Sequence, residues 1–456
     1  MLVLNAQQCI MAESCSGICV DTLIKRAGAA VAKEIISRFL KQKVLVLCGP
    51  GNNGKDGYVV ANLLQSEGWH VKVMHYSSTV DGCDVISEEN LKQDDSLLIV
   101  DAIFGTGLTR PIYGSLLNAI NYINNSNKTV VSIDIPSGIN SDTGEIMGIA
   151  LVSHLTVTFS YLKLGHVISP GRYCSGEVYI ADIGLKYNES TVYHNSPLLW
   201  REHLPKFNYQ SNKYSRGYAV VCSVGNKSVG ASKLAATSAL RAGAGVVTIA
   251  CDKNAMSIYA SSLTAIMYKL YDDVIDDHRI TAVLIGPGCG ISECVKERTI
   301  KALSKKNCII DADSISVFYG SHEILFSYIK NNVIMTPHEG EFKRIFPYLT
   351  GSALERAKKA SLISKAVIVL KGHDTIIASP DGRVSINNSS YSTLATMGSG
   401  DVLSGIITGF VSCGMDPFFA ACCGVWVHSE CGKKYTYGLI ADDIVMQIPV
   451  VLSAFY

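Results

Sequence analysis

Short apolar runs alternate with amphipathic stretches along this chain. In its first half Lys43–Cys48, Val71–His75, Leu97–Val100, Thr129–Ile133 and Leu155–Phe159 are rich in Val, Ile and Leu, and each reads as a strand. Between them, Tyr58–Glu67 and Ser115–Ile123 space their apolar residues as helices do. Near-continuous apolar strands joined by helices predict parallel sheets covered on both faces. In open sheets of that kind, ligands gather at the carboxyl ends of the strands. The pattern breaks over residues 197–212, a polar and aromatic stretch without periodicity that reads as a linker. It restarts with Tyr218–Ser223, Val246–Ala250, Ala282–Ile285, Cys308–Asp311, Val333–Thr336 and Ala366–Leu370, and a helix-rich tail follows from Asp401. The expected organisation is two α/β domains, residues 1–205 and 206–456.

Composition narrows the function classes. The 456 residues suit about two to four domains. Lys and Arg number 40 against 39 Asp and Glu, a net charge of +1, which leaves no electrostatic footprint for nucleic acid or a charged membrane surface. Hydrophobic residues reach 48%, ample to offset the ordering entropy that keeps polar chains unfolded. Fifteen cysteines, an odd count with no C-x-x-C pair, read as reduced thiols rather than a disulfide or zinc framework. The N-terminus lacks a basic segment and an apolar core long enough for export. The most apolar stretch, Val402–Val427, is cut by Asp416-Pro417 into pieces shorter than the roughly 20 residues a membrane span requires. Two buried helices and a soluble cytoplasmic protein are expected.

The strand ends of the first half carry the chemistry. Lys43–Cys48 runs into G-P-G-N-N-G-K-D-G, residues 49–57, whose glycines let backbone amides approach an anion at the next helix. The spacing is neither G-x-G-x-x-G nor a Walker loop. A ligand-free turn would not require the side-chain oxygens of Asn52, Asn53 and Asp56. Two further strands end in D-A-I-F-G-T-G-L-T-R-P, residues 101–111, and D-I-P-S-G, residues 134–138. Asn53, Asp101 and Ser137 thus stand at three strand ends as oxygen donors, which suit a hard cation such as K⁺, Na⁺ or Mg²⁺. A singly charged ion fits, because only Asp101 must be anionic. Lys163, just beyond another strand, can pair with Asp134 as an acid–base couple or stand exposed in solvent.

In the second half, T-M-G-S-G-D-V-L-S-G, residues 396–405, leads into an apolar helix. Gly398 and Gly400 free the amides there for an anion, reinforced by the helix dipole. Asp401 then serves either as a base beside a transferring phosphoryl group or as an ordinary helix cap. Gly286–Gly290, Asp311–Asp313, Thr336–Glu341 and Lys371–Thr375 end four successive strands, which argues for one convergent crevice with His338 on its rim.

The first-half motifs, completed by T-F-x-x-x-K-x-G, closely resemble the NAD(P)HX epimerase domain, a Rossmann-like α/β fold. That resemblance implies that Asn52, Asn53, Gly54, Lys55 and Asp56 hold a hydrated nicotinamide nucleotide. Gly105, Thr106, Gly107, Leu108, Thr109, Arg110, Pro111 and Asp134 would complete its site. It further implies K⁺ on Asn53, Asp101 and Ser137, and catalysis by Asp134 with Lys163. The chain departs from the pattern at Lys55, where the family usually has Gly. In the second half, V-G-A, L-R-A-G-A-G, G-P-G-x-G, D-A-D, P-H-x-G-E, K-G-x-D-T and G-S-G-D resemble the NAD(P)HX dehydratase domain of the ribokinase-like fold. Ala231, Gly288, His338 and Asp401 would then contact the hydrate, with Asp401 the catalytic base. Lys371, Gly372, His373, Asp374 and Thr375 would line the adenine nucleotide, together with Tyr391, Ser392, Thr393, Leu394, Ala395, Thr396, Met397, Gly398, Ser399 and Gly400.

The implied function is bifunctional repair of NADHX and NADPHX. The first domain would interconvert R and S hydrates; the second would dehydrate the S form with ADP and Mg²⁺, giving AMP and phosphate. The fused arrangement resembles bacterial enzymes, which implies ADP as the donor, and a homo-oligomer is expected. The alternative is a ribokinase-like small-molecule kinase fused to a non-catalytic Rossmann-like module.

Overall fold

The computed structural model describes residues 1–76, 85–330, 332–389 and 391–456. Its contacts divide the chain into two units, Met1–Val192 and Tyr193–Tyr456. In the first, the expected apolar runs become β1 (Lys43–Cys48), β2 (His70–His75), β3 (Leu98–Ala102), β4 (Thr129–Ile133) and β5 (Leu155–Phe159). A sixth strand, β6 (Glu177–Ala181), completes an all-parallel sheet of order β2-β1-β3-β4-β5-β6. Helices α1 (Ala6–Cys15), α2 (Val20–Arg38), α3 (Asn52–Ser66) and α4 (Ser115–Asn124) belong to this unit. Separate apolar cores lie on the two sides of the strands: Val44, Val46 and Val100 pack with α2 and α3, whereas Leu45, Leu47 and Ile99 pack with α4. That alternation is why the inner runs read as unbroken: both faces of β1, β3, β4 and β5 are buried.

The turn from β1 into the first residues of α3 is pressed so close to its neighbours that neither Gly49 nor Gly54 tolerates a side chain. A Cβ on Gly49 would lie 1.7 Å from the Ile103 carbonyl, and one on Gly54 would lie 1.9 Å from the Gly49 carbonyl. The glycines therefore fix the start of α3 against the end of β3, which brings Asn53 to the strand ends.

The second unit is built on a ten-stranded sheet. Its strands are β7 (Val192–His194), β8 (Tyr218–Cys222), β9 (Val246–Cys251), β10 (Met267–Leu270), β11 (Ala282–Ile285), β12 (Cys308–Ile310), β13 (Val333–Met335), β14 (Val367–Leu370), β15 (Thr375–Ala378) and β16 (Val384–Asn387). The order is β10-β9-β8-β11-β12-β13-β14-β15-β16-β7. The first seven run parallel, and β15 and β16 turn back antiparallel. Helices α5 (Val229–Arg241), α6 (Ser399–Ser412), α7 (Pro417–Lys433) and α8 (Ala441–Leu452) cover part of it. The apolar stretch around Asp416 is two buried helices, with the Asp416 carboxylate capping α7 through the amides of Phe418 and Phe419. Among the described residues no helix is long and apolar enough to cross a membrane.

Segment 197–212, read from sequence as a linker, is in part core. Trp200 is fully buried and packs its ring against Trp426 and Phe455, and Leu204 is buried in the same core. Its helix, Pro197–Trp200, is only four residues long, too short to leave a periodic signal.

Candidate active sites

Parallel strands present all their carboxyl ends on one side, so in each unit the polar loops that follow them must converge. In the first unit they border a crevice of about 850 Å³. Asn52, Asn53, Asp56, Asp134 and the whole loop Gly105–Pro111 line it. Gly54 and Lys55 do not: Gly54 is turned onto the Gly49 carbonyl and Lys55 is exposed. Successive helical residues point about 100° apart, so a run of five cannot all face one ligand. Helix α1 adds Cys9 and Glu13 to the wall. Sequence reasoning missed this helix, although Asn5 and Gln8 form a capping box at its start.

Asp134 and Lys163, 29 residues apart, form a buried pair: Lys163 Nζ donates to Asp134 Oδ1 at 2.5 Å. Lys163 is 4% exposed, which overturns the solvent-exposed alternative. Its second N–H bond goes to Thr158 Oγ1 at 2.8 Å, and that hydroxyl in turn donates to Asp134 Oδ1. Burial works to raise the Asp134 carboxyl, but the Lys163 charge and these bonds outweigh it and hold the group below the usual carboxylate range. Asp134 also has φ +67°, the left-handed region. His166 clamps it there. Its Nδ1 accepts the Lys163 N–H and its Nε2–H donates to the Asp134 carbonyl, so the ring bridges the pair from behind. With both nitrogens so engaged the imidazole is neutral, and burial, then the Lys163 charge, lower its pKa to about 4. Nothing in the sequence distinguished His166 from any loop histidine. Asp56 is the opposite of Asp134: burial, then the charges of Asp134 and Glu13, push its carboxyl up to about 8.

The three oxygen donors differ in availability. Asn53 is buried with both Oδ1 and Nδ2 unpartnered. Asp101, in register with Ser132 on β4, accepts from Ser132 Oγ, Ser137 Oγ, Ser137 N–H and Ile103 N–H. Those four bonds use the four lone-pair positions of a carboxylate. Ser137 Oγ accepts the Phe104 N–H as well, which leaves it one lone pair.

In the second unit the loops after β11, β12, β13 and β14 meet the start of α6. Lys371 Nζ donates to Asp311 Oδ1 at 3.0 Å, and the Lys371 N–H donates to the Pro337 carbonyl. Asp313 accepts the Gly290 N–H at 2.7 Å. Gly288 sits against Ala231, whose Cβ would be 3.0 Å from an added Cβ. Gly400 lies beside Lys371, with Nζ 3.5 Å from where its Cβ would be. Asp401 is the third residue of α6, not its cap; Gly398, at φ +85°, holds the cap position. Burial, then the negative charge of Asp311, raise the Asp401 carboxyl to about 6 against the opposing pull of Lys371. His338 accepts the Gly340 and Glu341 amides on Nδ1, so its first task is to cap the short helix Glu339–Ile345.

Residues 391–400 divide between solvent and protein. Met397 is almost fully exposed, whereas Leu394 packs on Gly432 and Thr393 donates to the Gly432 carbonyl. A further buried histidine, His428 on α7, has Nε2 within 2.9 Å of Ser399 Oγ and 3.0 Å of the Ser399 carbonyl, tying down the first residue of α6.

Comparison with known proteins places both units. The family model described as NAD(P)H-hydrate dehydratase matches residues 220–449, and that described as YjeF-related protein N-terminus matches residues 20–165. The chain is 32% identical to a protein of Thermofilum pendens named bifunctional NAD(P)H-hydrate repair enzyme Nnr, over 96% of this chain and 93% of that one. The protein of the same name from Moorella thermoacetica is 33% identical over 94% and 92%. Among solved structures, the ADP/ATP-dependent NAD(P)H-hydrate dehydratase from Bacillus subtilis, co-crystallised with ATP/Mg²⁺, is 29% identical with a TM-score of 0.52. The match covers 58% of this chain and 99% of that one. A ribokinase-like superfamily protein from Enterococcus faecalis, 23% identical with a TM-score of 0.53 over 59% and 98%, shares the fold.

Proposed function

Since this chain belongs to the family of bifunctional NAD(P)H-hydrate repair enzymes, we propose that its first unit interconverts the R and S hydrates of NADH and NADPH. Its second unit then dehydrates the S form at the expense of ADP. One observation carries the reading: each unit sets a titratable carboxyl of its own, Asp134 or Asp401, at its convergent strand ends.

In the first site the crevice takes the nucleotide along Gly105–Pro111 and the start of α3, and Asp134 with Lys163 moves protons at the hydroxyl-bearing ring carbon. Asn53 and Ser137 fit a K⁺ ion with the lone pairs they have free. Asp101, whose four positions are taken, lends its charge through Ser137 rather than by direct contact. When bound, that ion supplies positive charge for the substrate's diphosphate.

In the second site hydroxide is the obstacle, because it leaves carbon poorly. Asp401 takes the proton of the ring hydroxyl as its oxygen attacks the terminal phosphorus of ADP, releasing AMP. The amides of Gly400 and Asp401, at the start of α6 and without intrahelical acceptors, receive the phosphoryl oxygens beside Lys371. The ring nitrogen's lone pair then expels phosphate, and loss of a proton from the neighbouring carbon restores the dihydronicotinamide. Mg²⁺ would travel with the nucleotide's phosphates. His338 and Ala231–Gly288 border the hydrate, and the loops 371–375 and 391–400 border the adenine nucleotide. A cytoplasmic homo-oligomer working on free nucleotides is part of the same proposal.

The test incubates isolated S hydrate with the purified chain and Mg²⁺, with and without ADP, and separates the nucleotides. NADH, AMP and phosphate in equal amounts are expected with ADP only. NADH formation without ADP, or AMP without NADH, contradicts the reading.

A further inference from the structure

Adjoining the first unit's crevice is a second, smaller cavity of about 40 Å³. It is bordered by Leu4, Ala12, Thr106, Asp134, Tyr161 and Lys163, and Asp134 and Thr106 also line the crevice. A water molecule's share of liquid is about 30 Å³, so the chamber holds one or two waters and nothing larger. Such a site must also offer polar partners. Asp134 Oδ1 is taken by Lys163 and Thr158, while Oδ2 has no protein partner among the described residues. Lys163 uses two of its three N–H bonds, on Asp134 and Thr158. One acceptor and one donor of the pair thus stay free beside a water-sized space that adjoins the substrate crevice.

We propose that the chamber is a water site, and that epimerisation proceeds by loss of one water and uptake of another, the Asp134–Lys163 pair handling the protons. The proposal rests on the epimerase reading above and adds its mechanism. The hydrate's hydroxyl-bearing carbon is bonded to the ring nitrogen. As its C–O bond breaks, the nitrogen lone pair forms a C=N iminium, and the Lys163 ammonium gives the proton that lets the oxygen leave as water. A second water attacks the iminium carbon from the opposite face while Asp134 Oδ2 takes its proton, and the nitrogen recovers its lone pair. The proton then returns from Asp134 Oδ2 through a chamber water to the Lys163 amine, which resets both groups. One face of the ring exchanges water with the open crevice and the other with the chamber. No oxidant or reductant is consumed. The competing route, cleavage of the C–N bond to an aldehyde and reclosure, keeps the original oxygen.

The experiment supplies the full chain with isolated R hydrate in ¹⁸O water, without ADP, and weighs the S hydrate formed at early times against S hydrate incubated with no protein. About one solvent oxygen per S molecule is expected, far above that background. S hydrate of unlabelled mass overturns the proposal while leaving the epimerase reading intact; no S hydrate at all overturns the epimerase reading and the proposal with it. The variant Ala12→Leu, which fills the chamber from α1, is expected to slow epimerisation at least tenfold while dehydration of pure S hydrate stays unchanged. An undiminished epimerisation rate in that variant contradicts the chamber's role.

Discussion

Replacing Lys163 by Met leaves the Asp134 carboxylate buried without its ammonium partner. The side chains are 4% and 15% exposed, so solvent screens the pair little. Removing one partner of a buried ion pair costs about 3–5 kcal/mol, because the remaining charge is stranded. The pH dependence should also change sign. In the native pair Asp134 titrates below its unfolded value, so its contribution is present above that value and is lost as pH falls through the lowered one. In Lys163→Met burial, the largest influence on Asp134, is opposed mainly by the weaker Thr158 hydrogen bond and raises the carboxyl, so the first unit becomes less stable as pH rises above the ordinary Asp value. Hydrogen exchange of β4 and β5 peptides, normalised to intrinsic rates at each pH, reads both effects; roughly 10²–10⁴-fold faster exchange is expected at neutral pH. Asp134→Asn combined with Lys163→Met should recover most of the stability, since no charge is stranded, yet show no epimerisation. A single variant that exchanges like the parent, or a double variant as unstable as the single, refutes the coupled pair.

Other outcomes follow from the second unit and the boundary. Asp401→Asn should lower ADP-dependent dehydration by about 10²–10⁴ and leave epimerisation of R hydrate untouched, followed by chromatography; dehydration at a near-parental rate would make Asp401 merely structural. The kcat/KM of dehydration should rise tenfold per pH unit below a pKa of about 6 and flatten above it, as Asp401 ionises; a profile flat from pH 5 to 8 contradicts Asp401 as base. A fragment 193–456 should be more stable than 206–456, since losing Trp200 from its core is comparable to a Trp→Ala cavity of about 3–5 kcal/mol; equal denaturation midpoints would show that residues 193–205 are dispensable.

The sequence disclosed most where burial is symmetrical. Strands such as Lys43–Cys48 and Ala282–Ile285 are covered on both faces, so their apolar runs are continuous and their observed limits match the expected ones. Edge strands hid better: Glu177–Ala181 and Met267–Leu270 alternate exposed and half-buried positions and are short. The antiparallel return of β15 and β16 was not expected, because a turn back and a crossover leave similar local patterns. At the sites, glycine and carboxylate clusters announced the loops, but the partners that hold them did not appear. His166 and His428 act through both ring nitrogens or a carbonyl some thirty residues away, and such pairing leaves no local spacing. For the same reason Asp101 looked like an available ligand, although Ser132 and Ser137 occupy it.

The central claim, two active sites in one chain working in series, is tested most directly by complementation. Pure R hydrate is given to the chain with ADP, Mg²⁺ and K⁺, and NADH absorbance is followed. The parent chain should convert R hydrate to NADH after a lag while the S form accumulates. Asp134→Asn should convert S hydrate but scarcely any R hydrate, and Asp401→Asn neither. A mixture of the two variants should restore conversion of R hydrate, because the epimer passes through solution between the intact sites. Rapid conversion of R hydrate by Asp134→Asn alone, or no restoration in the mixture, would contradict the account.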